Sequence, residues 1–552
     1  MNSGRPFRQL KSIPFQRALV LLCLLWLAAS IASLAQTASG LVFAPGNLVI
    51  SRSVYDNNPD NVSVGQLLPP NCQSTQAGCN GNAINNGTYP NVWNNDTVDS
   101  SFGITSKIFL DQYTPSGHFV LSLEVPNSSQ NGVNPQKDQL VTSFPSKSEI
   151  ALNLSTDGKY LTFMGYVSPI NALDVSNSNT PGVIDPTNPV GTTVYRAVAQ
   201  VDYRGKFHFT LTNAYSGNNG RAAAWNNSNG ANFFYTAGNA GNGGNPQPDG
   251  VIIGAGTQFI IPEVKAEIAQ NPGTPTPVGS FNITQLGDKA DKIGRDTNFR
   301  GLTIFNNVVY LTKGSGGNGV NTVYWVDPTL NTCNNSNGVG LPPANSTLPS
   351  APMSYDPTVI QTMGVEPYNM CIVKGFPTAL KSKTSFPFGL WFANSTTLYV
   401  ADEGNGDNTY SNGMYTVAAA QKTAGLQKWV FDSTKQQWKL AYTLQTGLQL
   451  GVPYTVAGYP TGNNPVSGLP WAPAVDGLRN ITGAVNSDGT ATIYAVTSTV
   501  SGNGDQGADP NQVVLITDVL SATQLPTNES FMAFKSAGFG EVLRGVSFTP
   551  IK

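Results

Sequence analysis

The feature that most limits what this chain can fold into is an internal repeat. Six segments share one order: an apolar run, a short turn, then a run rich in Tyr and Val. Glu149–Leu154 leads into Lys159–Gly165, Arg221–Trp225 into Asn232–Gly238, and Phe299–Phe305 into Val308–Gly314. Phe388–Phe392 leads into Thr397–Asp402, and Leu478–Gly483 into Ala491–Val496. The sixth, Leu543–Pro550, has no room for a partner because the sequence stops at Lys552. Its missing half stands at the other end, Gly46–Val54, followed by Lys107–Asp111 and His118–Val125. Halves that complement each other predict a closed ring rather than a solenoid, which would need a cap at each end. Closure also removes the unpaired strand edges that an open stack would expose.

The runs are short and β-rich, bounded by Gly, Asn, Asp and Pro, so the expected class is all-β. Helical periodicity is confined to two short stretches, Glu263–Ala269 and Met414–Thr423. The expectation is a six-bladed β-propeller of four-stranded antiparallel blades, closed by the C-terminal strand joining the N-terminal blade. The blades are placed at about 46–125 with 543–550, then 148–214, 221–284, 299–375, 387–445 and 478–535. Composition agrees. Charged residues make up 11% of the chain, under half the roughly 25% of soluble domains, which excludes a helix bundle and a basic nucleic-acid binder. Hydrophobic residues at 40% suffice for a core.

One stretch is more specific. Pro387-Phe-Gly-Leu-Trp-Phe-Ala-Asn-Ser-Thr-Thr-Leu-Tyr-Val-Ala-Asp-Glu-Gly-Asn-Gly resembles the repeat of NHL-type six-bladed propellers, with weaker echoes in the other blades. The resemblance implies the architecture and little about activity, since that fold hosts binding modules, lactonases, lyases and synthases.

Residues 1–35 have the form of a secretory signal: Arg5, Arg8, Lys11 and Arg17, then an apolar run from Ala18, then Ser33-Leu34-Ala35. An uncleaved membrane anchor is the alternative reading. The remainder, 36–552, is expected to be one propeller domain, secreted or held at the cell surface, and monomeric. It carries 26 basic and 32 acidic residues, a mildly acidic balance that disfavours nucleic acid and anionic membranes as partners. Its four cysteines, Cys72, Cys79, Cys333 and Cys371, read as two disulfides in an exported chain. Of three connectivities the local pairs Cys72–Cys79 and Cys333–Cys371 are preferred, because both segments read as long surface loops, and a zinc site is disfavoured by the lack of paired C-x-x-C spacing. Twelve Asn-x-Ser/Thr acceptors, from Asn61 to Asn528, would mark a glycoprotein in a eukaryotic source.

Catalytic signals are sparse. Only His118 and His208 are present, so a three-His zinc site is impossible, and neither H-E-x-x-H nor G-x-S-x-G occurs. Gly314-Ser-Gly-Gly-Asn-Gly matches a dinucleotide fingerprint in letters alone, since it joins two strand-like runs with no helix to receive a phosphate. The loops with Asp402, Asn405 and Asp407, and with Asp505 and Asp509, offer hard oxygen ligands that suit Ca²⁺, although no cofactor is required.

The most specific constellation is positional. Arg221, Arg300, Arg479 and Arg544 each begin the first run of a repeat, and Glu149 holds the same place in another. If that run is innermost, these residues crowd one end of a central channel, where acids or an anion must offset them. The first reading is an ion-pair ring that braces the fold. The second is recognition of a carboxylate, phosphate or acidic sugar at the channel mouth. The functional expectation is a non-catalytic binding module for a surface protein, a glycan or a small anionic ligand. The alternatives are a Ca²⁺-dependent hydrolase or lactonase, which the propeller resemblance implies, and an oxidoreductase, which the scarcity of His weakens.

Overall fold

A computed structural model describes Met1 and residues 43–552, apart from 69–80, 86, 90–102, 184–192, 241–255, 268–277, 284–296, 316–319, 330–331, 333–337, 349–367 and 380–384. The chain divides into units Met1–Val42 and Phe43–Lys552, and the second holds every described strand and helix. The expected signal segment lies outside the described residues, as do Cys72, Cys79 and Cys333.

The second unit is all-β, with one short α-helix, Thr416–Ala420, among the described residues. That helix falls in one of the two stretches with helical spacing. In the other, Lys265–Ala266 is instead a strand added to the edge of a sheet. The sheets form a propeller-like ring. The first orders Glu541–Phe548, Leu48–Val54, Thr105–Tyr113 and Phe119–Glu124. Its first pair runs antiparallel with Ile50 opposite Val546, so the C-terminal strand does join the N-terminal sheet. The second sheet orders Asn153–Leu154, Tyr160–Tyr166, Arg196–Asp202 and Phe207–Thr212, with Lys265–Ala266 outside. Two further sheets order Pro387–Asn394, Thr397–Asp402, Gly425–Asp432, Gln437–Leu444, and Ala474–Val485, Thr490–Val500, Gln512–Val519, Met532–Ser536.

Four blades therefore stand as separate sheets, where six were expected. Two small ribbons pair Leu67–Leu68 with Gly81–Asn82 and Tyr410–Ser411 with Met414–Tyr415, and a further nine-stranded sheet runs from Asn219–Asn226 to Thr297–Phe305. Its parts are joined where Asn239 and Ala240 pair with Asn298 and Thr297, and where Asn282 and Ile283 pair with Tyr368 and Met370. Strands that run past their own sheet leave unpaired N–H and C=O groups, and pairing with the neighbour satisfies them.

The repeat's apolar character follows from burial on both faces. Along Thr397–Asp402 every residue is buried. Leu398 and Val400 point into one core cluster, while Tyr399 and Ala401 point into the next. Successive strand side chains alternate between faces, so a strand sandwiched between two sheets reads as an unbroken apolar run.

The first strands of the repeats border one another in cyclic order. Ala151 bridges to Ala222, and Arg221 Nη1 donates to the Phe299 carbonyl at 3.0 Å. Gly301 abuts the Phe388 carbonyl, and a Cβ on Gly389 would stand 2.5 Å from Arg479 O. Val546 N donates to Asn480 Oδ1 at 3.0 Å, and a Cβ on Gly545 would stand 2.7 Å from Ile150 O. Backbones this close leave no volume for a side chain, which explains glycine directly after Arg300, Phe388 and Arg544.

Candidate functional site

Arg221, Arg300, Arg479, Arg544 and Glu149 are all buried; Arg221 and Arg300 line one cleft, and Arg300 and Arg479 share an acid. They are not left as a bare ring of charge. Glu403, directly after Asp402, lies between two of them, with Oε1 3.4 Å from Arg300 Nη2 and Oε2 3.2 Å from Arg479 Nε. Burial would raise the Glu403 carboxyl, but Arg300, Arg479 and Lys147 outweigh it and hold it below its ordinary value. Arg300 also donates to Ser148 Oγ, and Arg221 to Asn298 Oδ1.

Arg544 has no carboxylate partner of its own among the described residues. It donates to the backbone carbonyls of Phe144 and Gly507, and its Nε and Nη1 are buried without a hydrogen bond. Burial, then repulsion from Arg479, lowers the Arg544 guanidinium, which still stays charged at neutral pH. Glu149 is instead saturated by neutral donors: Thr142 Oγ1 at 2.6 Å, Ser143 N at 2.9 Å, Tyr166 OH at 2.6 Å and Asn219 Nδ2 at 3.2 Å. It belongs to the framework and makes no ion pair with the arginines.

Above the cluster opens a cleft of about 410 Å³. Lys147, Arg221, Arg300 and Asp505 line it, together with Ser146, Ser148, Asn298, Asn408, Ser467 and Gln506. Burial, then the charge of Arg479, depresses the Lys147 ammonium below its ordinary value, against the pull of Glu403 and Asp505. At the opposite end of the inner strands lies a cavity of about 720 Å³ whose wall includes Leu152, Leu302, Leu390, Trp391 and Ile481. The arginine layer thus separates a cationic mouth from an uncharged one.

The residues expected to bind Ca²⁺ accept hydrogen bonds from nearby backbone and side-chain donors. Asp402 accepts from Phe386 N at 2.8 Å and Gly404 N at 3.0 Å, and burial pushes its carboxyl up to about 6. Asn405 accepts from Asp407 N at 3.0 Å, and Asp407 from Thr409 N at 2.9 Å, both turn contacts. Asp505 accepts from Gly507 N at 2.9 Å. Asp509 accepts from Tyr459 OH at 2.9 Å and is pushed up to about 7 by burial. Among the described residues no group of three or more His, Cys, Asp and Glu side chains is arranged to hold a metal ion. His118 and His208 are exposed.

Sequence reading missed Lys147, Glu403 and the buried Arg196. Lys147 sits two residues before Glu149, just outside the repeat, and Glu403 sits one residue past its end. Arg196 lies in the third run of its blade and satisfies its guanidinium on the carbonyls of Val194, Ser176 and Asn218 at 2.6–3.0 Å. Lys147 and Arg196 carry no motif, and Glu403 stands at a position that the pattern of the Pro387–Gly406 stretch leaves open.

No family model matches this chain, and no curated protein matches it. Solved structures share weak likeness. A polysaccharide lyase of family PL25, an ulvan lyase bound to -[GlcA(1-4)Rha3S]-, is 9% identical, with 84% of this chain and 95% of that one covered, at a TM-score of 0.28. The NanB sialidase from Streptococcus pneumoniae is 10% identical over 92% of this chain and 78% of that one, at a TM-score of 0.19. Scores this low carry no argument about the chemistry of the cleft.

Proposed function

We propose that this protein is a non-catalytic binding module that recognises a small anionic ligand in the cationic mouth of its central channel. The observation that supports the reading is the juxtaposition of Lys147, Arg221 and Arg300 on the cleft wall, over the buried Arg479–Glu403 pair and Arg544. In such a low-dielectric setting a ligand anion offsets cations that the protein's own acids leave under-compensated. The bracing role of the arginines and the binding role coexist in this reading: Glu403 braces, and the cleft wall receives.

The same reading takes the nine-stranded sheet as two blades fused at their rims, so that the ring counts six. It takes the chain as exported after cleavage near residue 35 and acting as a monomer on a surface partner, glycan or small anion. It also takes Cys333–Cys371 as a disulfide, supported by the bonded state of Cys371 and by Thr332 and Cys371 Sγ both lying beside Gly340. Glycans would be restricted to the exposed acceptors, since Asn127, Asn226 and Asn480 are buried.

Thermal denaturation with acetate, citrate, sulfate and phosphate tests the binding role. Stabilisation that rises with anion concentration and is reduced in Arg300→Ala is the expected result. Unchanged anion response in a destabilised Arg300→Ala would leave the arginines as braces only. Stoichiometric Ca²⁺ in the purified protein, removed by a chelator together with ester or lactone cleavage, would favour the hydrolase reading.

A further inference from the structure

The cations of the cleft are not equivalent. Arg221 is held by Asn298 and the Phe299 carbonyl, and Arg300 by Ser148 and Glu403. Lys147, by contrast, lines the cleft with no hydrogen bond and no ion pair among the described residues. Lys147 is therefore the cleft cation with no direct partner of its own among the described residues, with Glu403 and Asp505 acting on it at longer range. The same wall holds Asp505, whose carboxylate would repel a second negative charge but accepts hydrogen bonds from hydroxyls. Around both lie neutral polar side chains. Ser146 offers its hydroxyl, and the Asn408 amide spends only its N–H side, on the Ser501 carbonyl at 3.2 Å. Ser467 and Gln506 complete this neutral wall.

Resting on the anion-binding reading above, we propose that the ligand is a hydroxylated monocarboxylate of the sugar-acid type, its carboxylate on Lys147 and its hydroxyls toward Asp505, Ser146 and Asn408. A phosphate or other dianion fits less well, because its second charge would face the Asp505 carboxylate on the same wall. A neutral sugar would leave Lys147 desolvated and uncompensated. A bare carboxylate such as acetate would leave the neutral wall unused.

Isothermal titration of the purified protein with D-glucuronate, D-glucose, acetate and inorganic phosphate tests this. Glucuronate is expected to bind about tenfold or more tighter than acetate or phosphate, with glucose giving no heat. Lys147→Gln is expected to lose about tenfold or more in glucuronate affinity with its melting temperature unchanged or raised, while Lys147→Arg stays within a few-fold. Phosphate or acetate binding as tightly as glucuronate would overturn the sugar-acid proposal and leave the anion site standing. Glucuronate binding undiminished in Lys147→Gln would overturn the assignment of Lys147. The absence of heat with every anion would overturn both readings.

Discussion

Glu403 places Oε2 3.2 Å from the Nε of Arg479, and its other oxygen reaches Arg300 at 3.4 Å, so one carboxylate serves the guanidiniums of two different inner strands. The three side chains are 5–11% exposed, too little for water to replace the lost partner. Glu403→Gln should therefore cost about 3–5 kcal/mol, the usual penalty for leaving a buried charge uncompensated. Urea denaturation checks the size. The double variant Glu403→Gln, Arg479→Met should lose less than the sum of its single changes.

A second buried pair ties two blades together. Lys428 Nζ lies 2.8 Å from Asp518 Oδ2 with both side chains fully buried. Tyr399 and Tyr442 both donate to the same carboxylate, Tyr442 at 2.5 Å. Asp518→Asn should destabilise by about 3–5 kcal/mol. Lys428→Met combined with Asp518→Leu should recover part of that loss, and a double-mutant cycle measured by denaturation reads the coupling. A coupling near zero would contradict the structure.

Packing of the inner strands makes a purely steric prediction. The position of a Cβ on Gly389 lies 2.5 Å from Arg479 O and 2.9 Å from Ile481 N, both backbone atoms that cannot swing away. Gly389→Ala should cost about 1–3 kcal/mol through displacement of the neighbouring strand. The midpoint of chemical denaturation should fall with little change in its slope.

Stability should also depend on pH with a defined sign. Burial pushes the Asp476 carboxyl from 3.8 up to about 7, and the charge of Glu403 adds to it, against the hydrogen bonds from Gly406 N and Gln421. A carboxyl raised on folding makes the native state take up a proton. Its contribution is complete below the unfolded value near 4 and is lost as pH rises through about 7. Asp402, raised to about 6, acts in the same direction. The melting temperature should be higher at pH 5 than at pH 8, and Asp476→Asn should flatten that slope. An unchanged slope in the variant would remove Asp476 as its source.

By itself the sequence determined what depends on local periodicity. Runs such as Thr397–Asp402, apolar on both alternating faces, are readable as strands because burial on two sides leaves no polar phase. The orphan run Leu543–Pro550 and its complement Gly46–Val54 identified the closing pair, in which Ile50 lies opposite Val546. Equal places in the repeat put Arg221, Arg300, Arg479 and Arg544 at matching strand positions, and all four are buried. Tertiary structure alone decided what lies between repeats. Glu403 and Lys147 act through space on residues far away along the chain, and no period in the sequence records that. The fusion of strands into a nine-stranded sheet was likewise set by unpaired backbone at the rims, a demand that every sequence shares and none spells out.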